Sequence, residues 1–113
     1  MTFRAFEVAV VPFPFTDRNT SKRRPALILS DNTRFNTPSG HCLMAMITSA
    51  KNSPWPLDAP IADLKSSGLP APSKVRMKLF TLDQRLILKT IGTLSPNDQN
   101  AVMASLKSLL VKI

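Results

Sequence analysis

The sequence of 113 residues contains one cysteine, one histidine, three glycines and no tyrosine. Because Cys42 stands alone, it cannot form an internal disulfide, so we expect a reducing, cytoplasmic location. There is no cluster of cysteines and histidines, and no closely spaced pair of carboxylates. These absences argue against a structural zinc site and against two-metal nuclease chemistry, so we predict neither a metal nor a cofactor.

Long apolar runs are also absent. No stretch approaches the length needed to cross a bilayer, and the first residues lack the apolar core of a signal peptide. We therefore predict no membrane-spanning segment and no membrane partner.

Acidic residues are few: seven face 15 basic ones, for a formal net charge of +8. Such an excess favours a polyanionic partner, because each phosphate that a protein neutralises releases counterions. A membrane surface or an acidic protein would match the same charge, so the charge gives the class of partner without naming it.

The length suits one modest core, and we predict a single domain over residues 1–113. Hydrophobic residues make up 43% and charged residues 19%, a balance typical of globular proteins. Ten prolines suggest short extended segments with stiff connections. A polar, basic loop, which includes Arg18, is predicted over residues 14–23.

Alternating and apolar patterns predict mainly β structure. The predicted strands are Phe6–Phe13 (with Phe6, Val8 and Val10 on one face), Ala26–Ser30, His41–Ser49, Ser73–Leu82 and, less regular, Leu86–Leu94 with a bulge at Gly92. A short strand is possible around Leu57–Ile61, and Ala62–Gly68 fits either a helical turn or a loop.

The end of the chain predicts a helix. Ser95 and Pro96 form a capping sequence with Asp98 in the first turn. Apolar residues then recur at helical spacing, namely Val102, Leu106, Leu109 and Ile113. Strands and helix together predict a small twisted sheet or partly closed barrel with a C-terminal helix packed on it.

Two basic stretches could bind phosphate. Lys22, Arg23 and Arg24 precede Pro25, which keeps Arg24 extended and presents its planar guanidinium at the start of an apolar strand. In the strand Ser73–Leu82, alternation places Lys74, Arg76 and Lys78 on an outward basic face. The same sequence patterns would also arise if the basic turn and the basic face of the strand were merely exposed to solvent.

Several segments together resemble the MazF/PemK-like toxins. The resemblance covers nearly the whole chain, in the order of that family, through Val10-Val11-Pro12-Phe13-Pro14-Phe15-Thr16, Lys22-Arg23-Arg24-Pro25-Ala26-Leu27-Ile28-Leu29-Ser30, Met46-Ile47-Thr48-Ser49, Ser73-Lys74-Val75-Arg76, Thr81-Leu82-Asp83 and Ile91-Gly92-Thr93-Leu94-Ser95.

The resemblance implies an SH3-like, partly closed barrel of five to seven strands that forms a homodimer. It also implies a toxin that cleaves single-stranded RNA without a metal and is covered by a small acidic antitoxin. By matching position, Arg24 would stabilise charge on phosphorus, and Thr48, with Ser49 beside it, would position the phosphate or the 2′-hydroxyl. Arg76 falls where some members carry a second functional arginine.

The match departs from the family in one respect that concerns chemistry. Many members carry a carboxylate shortly after the second arginine, whereas this chain has no acid between Arg76 and Asp83. The general base is therefore left open. A non-cleaving module on the same fold is the alternative, since a related toxin fold acts on DNA gyrase by protein contact.

Other candidates have weaker support. His41 could exchange protons near neutral pH, but it lies seven residues from Thr48, roughly 23 Å along one strand, which favours a solvated or structural role. Trp55 could stack on a base or fill a groove. Cys42 is expected in the core. The predicted RNA-binding residues are Arg18, Lys22, Arg23, Ser49, Trp55, Arg76 and Lys78.

Overall fold

The computed structural model describes residues 2–12 and 22–112. The strands are β1 (Glu7–Pro12), β2 (Arg23–Ile28), β3 (His41–Ser49), β4 (Ala59–Pro60), β5 (Ser73–Asp83) and β6 (Lys89–Thr93). The helices are α1 (Thr37–Ser39), α2 (Leu64–Ser67) and α3 (Pro96–Leu109), with a π-helical turn over Asn32–Asn36 and a 3-10 turn over Gln84–Leu86.

The strands form one antiparallel sheet in the order β4-β5-β3-β2-β1-β6. The sheet curls into a half-barrel with the helix α3 at the C-terminal end. This confirms the predicted fold, a mainly β, SH3-like, partly closed barrel with a C-terminal helix. The two longest strands, β3 and β5, pair along their whole length at its middle.

Both faces of the sheet are covered, so the central strands are apolar on both sides. The first core cluster includes Ala9, Val11, Ala26, Met44, Met46 and Phe80. The second includes Val8, Leu27, Ala45, Ile47, Val75 and Val102. β1 is buried on both sides: Val8 belongs to the second cluster, and Ala9 and Val11, on the opposite side of the strand, belong to the first.

Except for β3, every predicted strand differs from the structure in at least one limit. β3 has the predicted bounds, but β2 begins at Arg23 rather than Ala26 because Pro25 pairs with Val10 inside the sheet. Most of the predicted basic loop, including Arg18, lies outside the described residues.

The open choice for residues 62–68 is resolved as the short helix α2, which packs closely on β6. Gly68 has a positive φ of 74°, and a Cβ there would lie 2.0 Å from the carbonyl oxygen of Ile91. At Gly92 a Cβ would lie 2.4 Å from the backbone of Ser67. The predicted bulge is confirmed, because the register of β1 with β6 shifts between Val8 and Ala9, opposite Gly92 and Thr90.

The predicted capping of α3 is confirmed: the Ser95 side chain accepts a hydrogen bond from the backbone of Asp98 at 3.2 Å. Val102 is buried and Leu106 packs on the second core cluster. Leu109, in the last turn of α3, is 40% exposed and is not among the residues that pack on the second core cluster, so the prediction that it lies against the sheet is wrong. Ile113 lies outside the described residues.

Within residues 2–12 and 22–112, no helix has the length and apolar character that a membrane span requires.

Candidate active site

Arg24 and Thr48, the two residues predicted to be catalytic, lie on the neighbouring strands β2 and β3. These strands pair with Ala26 opposite Met46. Arg24 lies two residues before Ala26, and Thr48 lies two residues after Met46. Because the strands are antiparallel, extending this register places Arg24 across from Thr48. Side chains two residues apart leave a strand on the same side. The fold thus brings both residues to one face of the sheet, at one end of these two strands.

The backbone around Arg24 is extended within the sheet. Arg24 pairs with Val11 and Pro25 with Val10, and Pro25 disfavours the helical conformation for the residue before it. Arg24 is half-buried, whereas Lys22 and Arg23 are exposed. The guanidinium is therefore carried by a rigid ladder, and not by a loose turn.

Thr48 lies near the end of β3, opposite Lys74 of β5. It is 9% exposed, and its hydroxyl oxygen accepts a hydrogen bond from the side-chain Nδ2 of Asn52. Asn52 reaches it because the chain turns back after β3, where its backbone N–H donates to the carbonyl of Ser49 at 3.1 Å. Ser49 itself is exposed.

The predicted outward basic face of β5 is wrong for two of its three residues. Lys74 is only 8% exposed and the Arg76 side chain only 12%, whereas Lys78 is exposed. The reason is a residue that sequence reasoning missed: Asp58 lies against both covered cations and supplies their counter-charge.

The Asp58 carboxylate is the centre of this cluster. Arg76 donates to it from Nε at 3.2 Å and from Nη2 at 3.1 Å, and Lys74 Nζ lies 3.3 Å from Oδ2. The backbone N–H of Trp55 also donates to Oδ2, at 3.0 Å. Asp58 therefore closes its own turn and holds two cations of β5.

Neighbouring carbonyl groups complete the hydrogen bonding of the two cations. Lys74 Nζ donates to the carbonyl of Asn52 at 2.7 Å, and Arg76 Nη2 donates to that of Ser53 at 2.6 Å. The segment that follows β3 is thus fixed over β5 by side chains of β5.

The hydrogen bonds also set the ionisation of Asp58. Burial alone would raise the pKa of its carboxyl, but hydrogen bonds from Arg76, the Trp55 backbone and Lys74 outweigh burial and lower the pKa. Asp58 is therefore ionised at neutral pH. A carboxylate with a lowered pKa is better suited to binding cations than to accepting a proton.

Trp55 lies beside this cluster, and its side chain is 40% exposed. Lys78 Nζ lies 4.8 Å and Arg76 Cζ 5.7 Å from the centre of its ring, both within the range of cation–π contacts. The arrangement combines an accessible aromatic ring with positive charge.

The remaining candidates lie elsewhere. His41 is exposed at the far end of β3 from Thr48, opposite Asp83, as the predicted solvated role requires. Cys42 is fully buried in the first core cluster, which confirms its predicted place.

Asn52 and Asp58 were missed because both lie in the proline-rich segment 50–60, where the sequence shows no periodic pattern. One signal was available: three cations at alternate positions of a strand in a small barrel require a counter-ion if any of them is covered. Nothing in the sequence indicates which of the seven acidic residues supplies it.

Comparison with known proteins gives a family match over nearly the whole chain. Residues 4–110 match the family described as "PemK-like, MazF-like toxin of type II toxin-antitoxin system". A comparison with curated proteins gave no match.

Solved structures with a similar fold cover most of the chain. The MazE–MazF complex (Form-II) from Deinococcus radiodurans has a TM-score of 0.76 at 22% identity, over 100% of this chain and 99% of that one. An endoribonuclease with its cognate antitoxin from Mycobacterial species has a TM-score of 0.71 at 18% identity, over 95% and 91%. Mycobacterium tuberculosis toxin MazF-mt6 has a TM-score of 0.69 at 20% identity, over 90% and 93%.

Proposed function

Because this chain belongs to the PemK-like, MazF-like toxins of type II toxin–antitoxin systems, we propose that it is an endoribonuclease that cleaves single-stranded RNA at selected sequences without a metal. Toxins of this family are generally endoribonucleases. The observation that carries the proposal is the shared sheet face of Arg24 and Thr48, a fixed cation and a hydroxyl on neighbouring strands.

In the proposed reaction the ribose 2′-oxygen forms a bond to the adjacent phosphorus and the bond from phosphorus to the 5′-oxygen breaks. The products are a 2′,3′-cyclic phosphate and a 5′-hydroxyl, so the 2′-hydroxyl loses one proton and the leaving 5′-oxygen gains one. Negative charge increases on the phosphoryl oxygens during attack. Arg24 stabilises this charge, because a cation fixed in advance needs no reorganisation as the charge develops.

Thr48 positions the same phosphate through its hydroxyl. A threonine hydroxyl does not ionise unaided, and a guanidinium keeps its proton. Neither Arg24 nor Thr48 is therefore the group that removes the 2′-hydroxyl proton. Their joint role is to orient the phosphate and stabilise its charge.

The surrounding surface would hold the RNA strand. Trp55 offers a partly exposed ring for base stacking, and the exposed Lys78 places positive charge beside it. Arg76, which is mostly covered and paired with Asp58, lies against the same ring and is proposed to keep it in place for RNA. Further RNA contacts are proposed for the exposed residues Lys22, Arg23 and Ser49, and for Arg18, which lies outside the described residues.

An acidic antitoxin is the proposed protein partner, and the cytoplasm the proposed location. The net charge of +8 suits an acidic chain, and similar folds have been solved as MazE–MazF complexes. We also propose that the toxin is a homodimer, as the family resemblance implies.

The test is cleavage of one long, defined RNA by the purified protein in EDTA, with both new ends mapped. We expect discrete fragments with 5′-hydroxyl and cyclic phosphate ends. Arg24→Ala should abolish them while the circular dichroism spectrum stays unchanged. Arg34→Ala, which removes an exposed arginine outside the site, is the matched control and should cleave normally.

Two results would contradict the proposal. Fragments that appear only after magnesium is added would exclude the metal-independent mechanism. Salt-sensitive RNA binding without new ends would favour the alternative, a non-cleaving binding module on the same fold.

A further inference from the structure

The hydroxyl of Thr48 makes a directional contact with Asn52. The Nδ2 atom of Asn52 donates to the Thr48 oxygen. A hydroxyl has one proton to donate and two lone pairs that accept. Because the amide N–H uses a lone pair of Thr48, the hydroxyl proton is left for another acceptor.

Asn52 is held in place from both sides. Its backbone N–H donates to the Ser49 carbonyl at 3.1 Å, and its backbone carbonyl accepts from Lys74 Nζ at 2.7 Å. Lys74 is in turn paired with Thr48 in the β3–β5 ladder and bound to Asp58 at 3.3 Å. The backbone of Asn52 is therefore held to both strands, which places its side-chain amide within reach of the Thr48 hydroxyl.

We propose that Asn52 is a positioning residue that makes the Thr48 hydroxyl a hydrogen-bond donor to a non-bridging oxygen of the bound phosphate. This inference rests on the proposed function. It defines the direction in which the Thr48 hydroxyl donates its hydrogen bond, and it adds Asn52 to the site, which the sequence-based prediction lacked. It also gives buried Lys74 a role, which is to anchor the residue that orients Thr48.

The direction of the hydrogen bond can be reversed with little change of shape. In Asn52→Asp the carboxylate can only accept, so it would draw the Thr48 proton away from the phosphate and turn a lone pair towards it. In Asn52→Ala the hydroxyl would rotate freely. The expected order of activity is wild type, then Asn52→Ala, then Asn52→Asp.

The experiment measures single-turnover cleavage of a defined RNA at saturating protein, together with RNA affinity. We expect the rate constant to fall about tenfold for Asn52→Ala, a loss of about 1.4 kcal/mol, and further for Asn52→Asp. RNA affinity should fall much less for Asn52→Ala. A role limited to folding would instead lower the active fraction and the melting temperature.

The same substitutions in a Thr48→Val background separate this role from a simple charge effect. If Asn52 acts through the hydroxyl, both substitutions should change the residual rate less than twofold once the hydroxyl is gone. If the added carboxylate merely repels the phosphate, Asn52→Asp would be equally harmful with and without Thr48.

The outcomes are distinct. Equal effects in both backgrounds, or an Asn52→Asp variant as active as wild type, would overturn the role of Asn52 while RNA cleavage stands. A wild-type protein that does not cleave RNA would overturn the proposed function and this role together.

Discussion

Asp58 accepts hydrogen bonds from both Nε and Nη2 of Arg76, at 3.2 and 3.1 Å. This two-point pair joins the turn before β4 to the middle of β5. Arginine and carboxylate match well in such a geometry because both groups are planar. The same carboxylate also contacts Lys74 and accepts from the backbone N–H of Trp55, so it links both covered cations of β5 to the segment that carries the ring.

Removing the Asp58 carboxylate should destabilise the fold. In Asp58→Ala, Lys74 and Arg76 stay largely buried and lose a charged acceptor, so we expect the free energy of unfolding to fall by about 2 kcal/mol. Urea unfolding at neutral pH measures this. Asp83→Ala is the matched control: it removes an arginine-paired carboxylate too, but the Arg85 side chain is 86% exposed, and solvent weakens such pairs. An equal loss in both variants would contradict the prediction.

The Asp58 contribution should depend on pH. Hydrogen bonds from Arg76, the Trp55 backbone and Lys74 outweigh burial and lower the pKa of this carboxyl in the folded state, so the unfolded chain takes up the proton more readily. The stabilisation is complete above the ordinary carboxyl pKa of about 3.9 and is lost as the pH falls through the lower folded value.

Urea unfolding of wild type and Asp58→Asn from pH 7 to pH 3 tests this dependence. The difference in free energy of unfolding should be largest at pH 7 and shrink towards pH 3. A difference that stays constant, or grows in acid, would show that the charge of Asp58 contributes nothing.

Trp55 should report and support RNA binding. Base stacking on an aromatic ring contributes about 1–3 kcal/mol, so Trp55→Ala should weaken binding of a single-stranded RNA about tenfold at fixed salt, as measured by fluorescence anisotropy. Trp55→Phe keeps a ring and should bind nearly as well as wild type. Since Trp55 is the only tryptophan and tyrosine is absent, RNA should also quench the intrinsic emission. Unchanged affinity of Trp55→Ala would exclude stacking.

Asp98 should be important for attaching α3. Its buried carboxylate accepts from the backbone N–H groups of Ala62 and Asp63 at 3.0 and 2.9 Å. Asp98→Ala leaves both donors without this acceptor, so we expect a loss of about 2 kcal/mol in the free energy of unfolding. Asp63→Ala is the comparison, because it removes only an exposed helix cap and should cost about 1 kcal/mol. A smaller loss at Asp98 than at Asp63 would contradict this ranking.

Cys42 should be unreactive in the folded protein. Burial, with a smaller contribution from the Glu7 carboxylate, raises the pKa of its thiol to about 11, and the thiolate is the form that reacts. Iodoacetamide at pH 8 should therefore label the native protein far more slowly than the urea-unfolded protein, as followed by mass spectrometry. Equally rapid labelling of both states would show that the first core cluster is open.

The sequence by itself determined most of the strands and the capped helix, and its resemblance to a known family singled out Arg24 and Thr48 as the predicted catalytic residues. Alternation of side chains has a fixed period in a strand, and a proline restricts its neighbour locally, so β3, the start of α3 and the extended backbone at Arg24 follow from nearby residues. That Arg24 and Thr48 act at one place was implied only by the family resemblance, because strand pairing joins residues that are far apart in the chain.

Only the tertiary structure decided which polar residues complete the site. Asn52 and Asp58 lie in an aperiodic segment, and their roles depend on how that segment folds over β5. The same fold covers Lys74 and Arg76, which alternation alone placed in solvent. Local patterns give the direction of a side chain relative to its own strand, but its burial and its partners depend on what the rest of the chain brings against it.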